Sequence, residues 1–417
     1  MLNIFISIIY TLLSFGILKI FHSTKRGNPV YWFVIFQWVM AVGTFLVLDF
    51  DRDSDILYMV LYLVALLAFA AGAVIVVANS NYMARYREFF DRPFTPPSQI
   101  TRHIVIGLAI FSTIVTLGYY QLIGYNLFME TLAGAEILDF KSARLATYSG
   151  EDYYAPGFVN QFKNTLLVVC WVTVLTWMYV DGRVQRVRML ALPILFLFLY
   201  ALLGTGQRAP MIYAFLTVVF GISLITKIEF KRAGLAFVGV ALMFGFFSVL
   251  NERVDSFSIT SSFVAFTSRI FINDQQEGLF AFRELVLQDS AWFTEWIQGF
   301  VGLSPWSKGS KLSHEIYMLI HGTDRGTAGV TTVGSAYYNG GMLNVFAFYF
   351  LMGVAYAALF CRFLRGQKTI LRCYTYGAIF FVLSIYISGP PVVLFNKGLM
   401  ALLLLLFLGK LRTQSRH

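Results

Sequence analysis

Arg208 lies in the run Gly204-Thr205-Gly206-Gln207-Arg208-Ala209-Pro210, between two apolar segments and with no acidic residue nearby. An arginine at membrane depth is costly unless it faces protein, water or an anion. The glycines allow close backbone approach, and open N–H groups in such a turn bind oxyanions. Arg253, Arg269, Arg283 and Arg325 fall in one long polar stretch from Asn251 to about Thr332, and Arg144 in a shorter one. Guanidinium forks match phosphate oxygens two at a time, so arginines beside a membrane suit a lipid-linked diphosphate. Their plainer role is to pair with a carboxylate. Arg283 has Glu277 and Glu284 close by, and for Arg283 and Arg253 that role is preferred. For Arg208 function is preferred; Arg269 and Arg325 are candidates for either.

His314 and His321 are seven residues apart and so share one helix face. The run His-Glu-Ile-Tyr-Met-Leu-Ile-His does not match the His-Glu-x-x-His spacing of a zinc site. His314 is the candidate general base for a sugar hydroxyl, whereas a hydrogen-bonded structural role is preferred for His321. Asp49, Asp51, Asp53 and Asp55 alternate in a short turn and read as a solvated, orientation-setting loop. Lys397 sits inside the last apolar segment, near enough to its outer end for the ammonium to reach out. No phosphate-binding Gly-Lys loop, dinucleotide fingerprint or Gly-x-Ser-x-Gly elbow is present. No cofactor or metal is expected. Activation must arrive with the substrate, come from a gradient, or be absent.

The elements that position these residues are membrane spans. The chain is 58% hydrophobic and 13% charged, with mean hydropathy +0.69, about half the charge of a soluble domain. Apolar runs of bilayer-spanning length recur about eleven times (10–12), near 3–21, 30–48, 56–79, 104–123, 164–180, 189–203, 210–226, 234–250, 339–360, 373–389 and 392–409. The predicted fold is an all-α polytopic membrane protein, a single transmembrane domain over 1–417. Two extracytoplasmic inserts interrupt it, a small one over 125–163 and a large one over 251–332. The net charge of +10 is distributed by side. Of the 32 basic and 22 acidic residues, one face collects 20 and 4, and the other the remaining 12 and 18. Basic loops stay cytoplasmic, which puts the N-terminus and both inserts outside and the C-terminus inside. The basic balance is thus a topology signal, and no nucleic-acid partner is expected. The uncharged first ten residues and the lack of a cleavage pattern argue against a removable signal peptide. None of the three cysteines lies in an insert, so no exported disulfide framework is expected.

The large insert is rich in aromatic residues, including Trp292, Trp296 and Trp306, and does not have the composition of a disordered tail. It reads as short helices: within Phe263–Leu287, an amphipathic piece over Ala291–Phe300 at the membrane interface, and His314–His321 closed by Gly322. No internal repeat is visible.

The layout resembles the O-antigen (oligosaccharide repeat-unit) polymerases. The resemblance rests on Gly206-Gln207-Arg208-Ala209-Pro210, Arg269-Ile270, and Gly334-Ser335-Ala336-Tyr337-Tyr338-Asn339-Gly340-Gly341 leading into a span with Gly353. It implies a glycosyltransferase of the lipid-sugar-using type with a GT-C-like architecture, in the bacterial inner membrane. A glycan would move from undecaprenyl diphosphate to an incoming lipid-linked repeat unit. Arg208, Arg269, Arg325 and His314 are then the catalytic candidates, and Arg144, Tyr337, Tyr338 and Asn339 the substrate-binding ones. The implied partners are undecaprenyl-diphosphate-linked oligosaccharide, membrane lipid and a chain-length regulator protein. Two rivals stay open: an O-antigen ligase using the same donor, and a polysaccharide exporter or flippase with no bond chemistry.

Overall fold

The computed structural model describes residues 2–133, 156–207, 209–226, 274–304, 310, 312–322 and 329–408, with isolated positions between 260 and 272. Among the described residues the chain is helical throughout, and the only extended pairing is a single bridge between Thr331 and Ser388. Among the described residues seven helices are long and apolar enough to cross a membrane. They are α1 (Leu2–Phe21, prolonged by one turn to Thr24), α2 (Pro29–Leu46), α3 (Asp53–Ala78) and α5 (Gln99–Ile123), followed by α7 (Phe158–Val180), α8 (Val184–Leu203) and α14 (Gly341–Arg365). Three shorter apolar helices accompany them: α9 (Ala209–Ile225), α15 (Ile370–Ser384) and α17 (Leu399–Leu408). The small helices α4 (Tyr82–Asp91) and α6 (Leu127–Leu132) lie between spans. The large insert contributes α10 (Asp274–Val286), α11 (Thr294–Val301), α12 (Leu312–His321) and α13 (Thr332–Tyr338), and α16 (Val392–Asn396) precedes α17.

Helix starts follow local chemistry. Asn28, Ser98, Asn126, Thr331 and Thr369 each accept a hydrogen bond from a backbone N–H of the following first turn, which satisfies donors left open at a helix start. The core is one extended cluster joining α1, α2, α3, α14 and α15. Its tightest crossing is between α3 and α14, which pack along most of their length. Gly72 lies against the main chain of Phe350 and Val354, and Gly353 against that of Phe69 and Ala73. Small residues let membrane helices approach to backbone contact in this way.

The contacts sort the loops into two ends. At one, Lys368 Nζ donates to the Phe90 carbonyl at 3.0 Å, Arg102 pairs with Asp181, and Arg26 donates to the Ser223 carbonyl. At the other lie the starts of α3 and α14, the ends of α5 and α8, and all four insert helices. Among the described residues, the basic loops at 25–26, 85–102, 181–188 and 362–372 therefore share an end.

Three expectations are corrected. The last apolar run is not one continuous helix: α16 ends at Asn396, and α17 begins three residues later, after Gly398 with φ +93°. A Cβ on Gly398 would fall 1.9 Å from Thr165 Oγ1, so only glycine fits where this break meets α7. The helix predicted over 164–180 starts earlier, because α7 begins near Phe158 and contains a π-helical turn over Gln161–Leu166. The run at 373–389 also ends early, α15 stopping at Ser384. The predicted span at 234–250 lies outside the described residues.

Candidate functional site

The break between α8 and α9 is a turn at the insert end of the bundle. Gly206 takes φ +66°, and the Gly206 N–H closes the turn on the Leu203 carbonyl at 2.7 Å. A Cβ on Gly204 would fall 2.4 Å from Asn126 Nδ2 and 2.5 Å from the Tyr120 ring. The Gly204 carbonyl accepts from the Leu127 N–H at 2.9 Å, and Asn126 donates to the Tyr200 carbonyl at 3.1 Å. The turn is thus fixed to the start of α6 by main-chain contacts, as the glycine pattern predicts.

Beside this turn a cavity of about 370 Å³ opens between α7, α9, α15 and the broken α16–α17 element. Its apolar lining residues are Val168, Val169, Pro210, Ala378, Phe381, Val382, Val393 and Leu402. Its polar lining comprises the carboxamides of Asn160, Asn164, Gln207 and Asn396, the hydroxyls of Thr165, Tyr213 and Thr217, and the Lys397 ammonium. Lys397 Nζ lies 5.5 Å from the Tyr213 ring centre. Asn160, just before the π-turn of α7, and Asn164 within it line the cavity, while Gln161 donates to the Phe395 carbonyl and accepts from the Ala401 N–H. Those two bonds tie α7 to both halves of the broken final element. Most of the cavity's polar groups are invisible to sequence reasoning, since four separated segments contribute them. The available signals were the Gly-x-Gly break itself and Lys397 in an apolar run.

Of the predicted site residues, Arg208 stands in sequence between two cavity-lining residues, Gln207 and Ala209. Arg144, Arg208, Arg269 and Arg325 themselves lie outside the described residues. His314 lies on α12, half-buried, and His321 is exposed with its ring 4.3 Å from that of Tyr317. Neither lines the cavity, and neither do Tyr337, Tyr338 or Asn339. These last three hold the insert to the bundle. Asn339 is fully buried; its Nδ2 donates to Glu295 Oε2 and to the Ser335 carbonyl, both at 3.0 Å. The carbonyls of Tyr338 and Asn339 accept from the Ala291 and Phe293 N–H groups. Burial pushes the Glu295 carboxyl above its usual range, and hydrogen bonds from Asn339 and Ser310 partly offset that.

Arg283 does not pair with Glu277 or Glu284. Its Nε and a terminal nitrogen donate to the two oxygens of Asp55 at 2.9 and 2.7 Å. Asp55 is fully buried and also accepts from the Asp49 N–H at 2.9 Å. The acidic turn is thus an anchor for α10 and not merely a solvated loop. Beside it, the hydroxyls of Tyr58 and Thr331 are 2.6 Å apart, and Tyr58 stacks on Phe282 at 4.2 Å. Another buried cation was also unexpected. Lys163, placed by sequence in an exported loop, is 2% exposed, with its ammonium over the rings of Tyr119 (5.3 Å) and Tyr120 (5.6 Å). Among the described residues it meets no carboxylate, and no group of histidine, cysteine or acidic residues has a metal-binding arrangement.

In comparisons with known proteins, no protein-family model, no curated protein and no solved structure matched this chain.

Proposed function

We propose that this membrane protein is a polymerase of lipid-linked oligosaccharide repeat units, of the O-antigen polymerase type, working on the extracytoplasmic side of a bacterial inner membrane. The observation that carries the reading is the cavity at the Gly204–Ala209 break. It is lined both by apolar side chains and by amides, hydroxyls and one ammonium, which suits a substrate that carries both a lipid and a sugar. In the proposed reaction the bond between the sugar anomeric carbon and the diphosphate oxygen of the donor breaks. A hydroxyl of the acceptor's terminal sugar forms the new glycosidic bond and gives up its proton to a general base. The diphosphate leaves with its charge increased, and Arg208, with Arg269 and Arg325, is proposed to offset that charge. The charge asymmetry, together with the two-ended sorting of loops, supports an outward-facing insert end and a cytoplasmic basic end. A GT-C-like arrangement and about eleven spans belong to the same proposal.

The test is genetic and then biochemical. A strain lacking the protein should still make and export its lipid-linked repeat unit, and its surface lipopolysaccharide ladder should collapse to core plus one unit. Loss of even that band would indicate a ligase, and repeat unit trapped on the cytoplasmic face a flippase. Purified protein given lipid-linked repeat unit, without nucleotide and in chelator, should produce longer lipid-linked oligomers.

A further inference from the structure

Within the cavity, we infer that the carboxamides of Asn164 and Gln207 form a subsite for the sugar ring nearest the diphosphate of a polyprenyl-linked glycan, and that Lys397 holds the adjoining phosphate. The assignment rests on the lipid-sugar reading above and gives a role to Asn164, Gln207 and Lys397, none of which was among the predicted site residues.

Two buried polar atoms at this cavity have no hydrogen-bond partner among the described residues: Gln207 Nε2, a donor, and Asn164 Oδ1, an acceptor. An open buried polar group costs free energy comparable to a lost hydrogen bond, and a ligand that satisfies it recovers that cost. The pair defines what the ligand must offer. Facing Gln207 it must present an acceptor, and facing Asn164 a donor. A diphosphate offers acceptors only, and its oxygens would repel the Asn164 carbonyl. A sugar hydroxyl donates and accepts at once and satisfies both. Asn160, one turn earlier on the same helix, accepts from Asn164 Nδ2 at 3.1 Å, which leaves the Asn164 oxygen as the unpaired end of that carboxamide. Lys397 is the one cation among the described lining residues, which suits a single phosphate better than the whole diphosphate. The apolar lining residues Val168, Val169 and Leu402 are then left for the first isoprene units.

The experiment uses the full-length protein in lipid nanodiscs and measures binding of two probe types. One is farnesyl diphosphate; the other is farnesyl diphosphate bearing glucose, galactose or N-acetylglucosamine. At least one sugar-bearing probe should bind tighter than farnesyl diphosphate by about tenfold, the scale of one or two well-made hydrogen bonds. Gln207→Leu, and the isosteric Gln207→Glu for the case where leucine disturbs folding, should erase that difference and leave farnesyl diphosphate binding in place. Asn164→Leu should do the same. Lys397→Met should weaken both probe types by the same factor. Equal binding of all probes, loss of both types in the Gln207 variants, or no binding at all would overturn the assignment. Retained sugar preference in a protein that does not elongate lipid-linked units would leave the subsite standing and remove the polymerase reading.

Discussion

Gly353→Ala and Gly72→Ala should loosen the crossing on which the insert end depends. A Cβ at either position would fall 2.1 Å from a main-chain carbonyl oxygen, that of Phe69 for Gly353 and of Phe350 for Gly72. Ordinary contact begins near 3.4 Å, so the helices must separate locally by about 1.3 Å for either substitution. The obstacle is backbone on backbone, and no side chain can rotate away. Overpacking of a tight core costs about 1–3 kcal/mol. A gap of roughly 1 Å also forfeits a quarter to a half of the dispersion energy of each contact it opens. We therefore expect the upper end, about 3 kcal/mol, and an apparent melting temperature lower by roughly 5 °C or more. The same substitution at Gly107 or Gly118 of α5 meets nothing within 4 Å. There alanine should be neutral or stabilise by up to ~1 kcal/mol, the helix-propensity difference. The assay is the fraction of detergent-solubilised monomer that survives a temperature ramp, read by size-exclusion chromatography. If Gly353→Ala melts with the wild type and with Gly107→Ala, the close crossing of α3 and α14 is wrong.

Asp55→Asn should destabilise by about 3–5 kcal/mol, because it leaves the Arg283 guanidinium half-buried without its counter-charge; Asp55→Leu with Arg283→Met should recover much of that, and a double-mutant cycle showing no coupling would refute the pair. The raised pKa of Glu295 means that the fold favours its neutral form: its contribution is full below the ordinary value of 4.5 and is lost as pH rises through the folded value. Glu295→Gln should therefore raise the melting temperature at pH 8 relative to wild type and flatten the dependence from pH 4.5 upward; an unchanged pH profile would count against it. Arg208→Lys keeps the charge but loses the fork, so polymer yield should fall strongly at normal protein level, and full activity in Arg208→Ala would end its proposed role. Cysteine placed at Ser304 should react with a membrane-impermeant thiol reagent in cells with a permeabilised outer membrane, and protection would invert the topology.

The class of this protein was legible in its sequence because the bilayer imposes a local rule. A helix must satisfy its backbone internally and present some twenty apolar residues to lipid, and composition records that residue by residue. Hence α1, α2, α3, α5 and α14 begin and end close to where hydropathy puts them. Capping is equally local, so the α12 boundary at Gly322 could be anticipated. The Gly204–Pro210 break was marked by residues that tolerate close backbone approach. What the sequence could not decide depends on contacts between distant segments. Arg283 had two acids within reach along the chain, yet it pairs with Asp55, 228 residues away, because α3 and α10 pack together. Lys163 read as a loop residue because hydropathy penalises its charge; the rings of Tyr119 and Tyr120, on α5, explain how it is buried. The last span read as continuous because Lys397-Gly398 is too short to lower a window average, but the close approach of Thr165 turns it into a break. The cavity belongs to the same class. Its polar lining draws on α7, the turn after α8, α9 and the α16–α17 break, and only their packing brings those residues around one space.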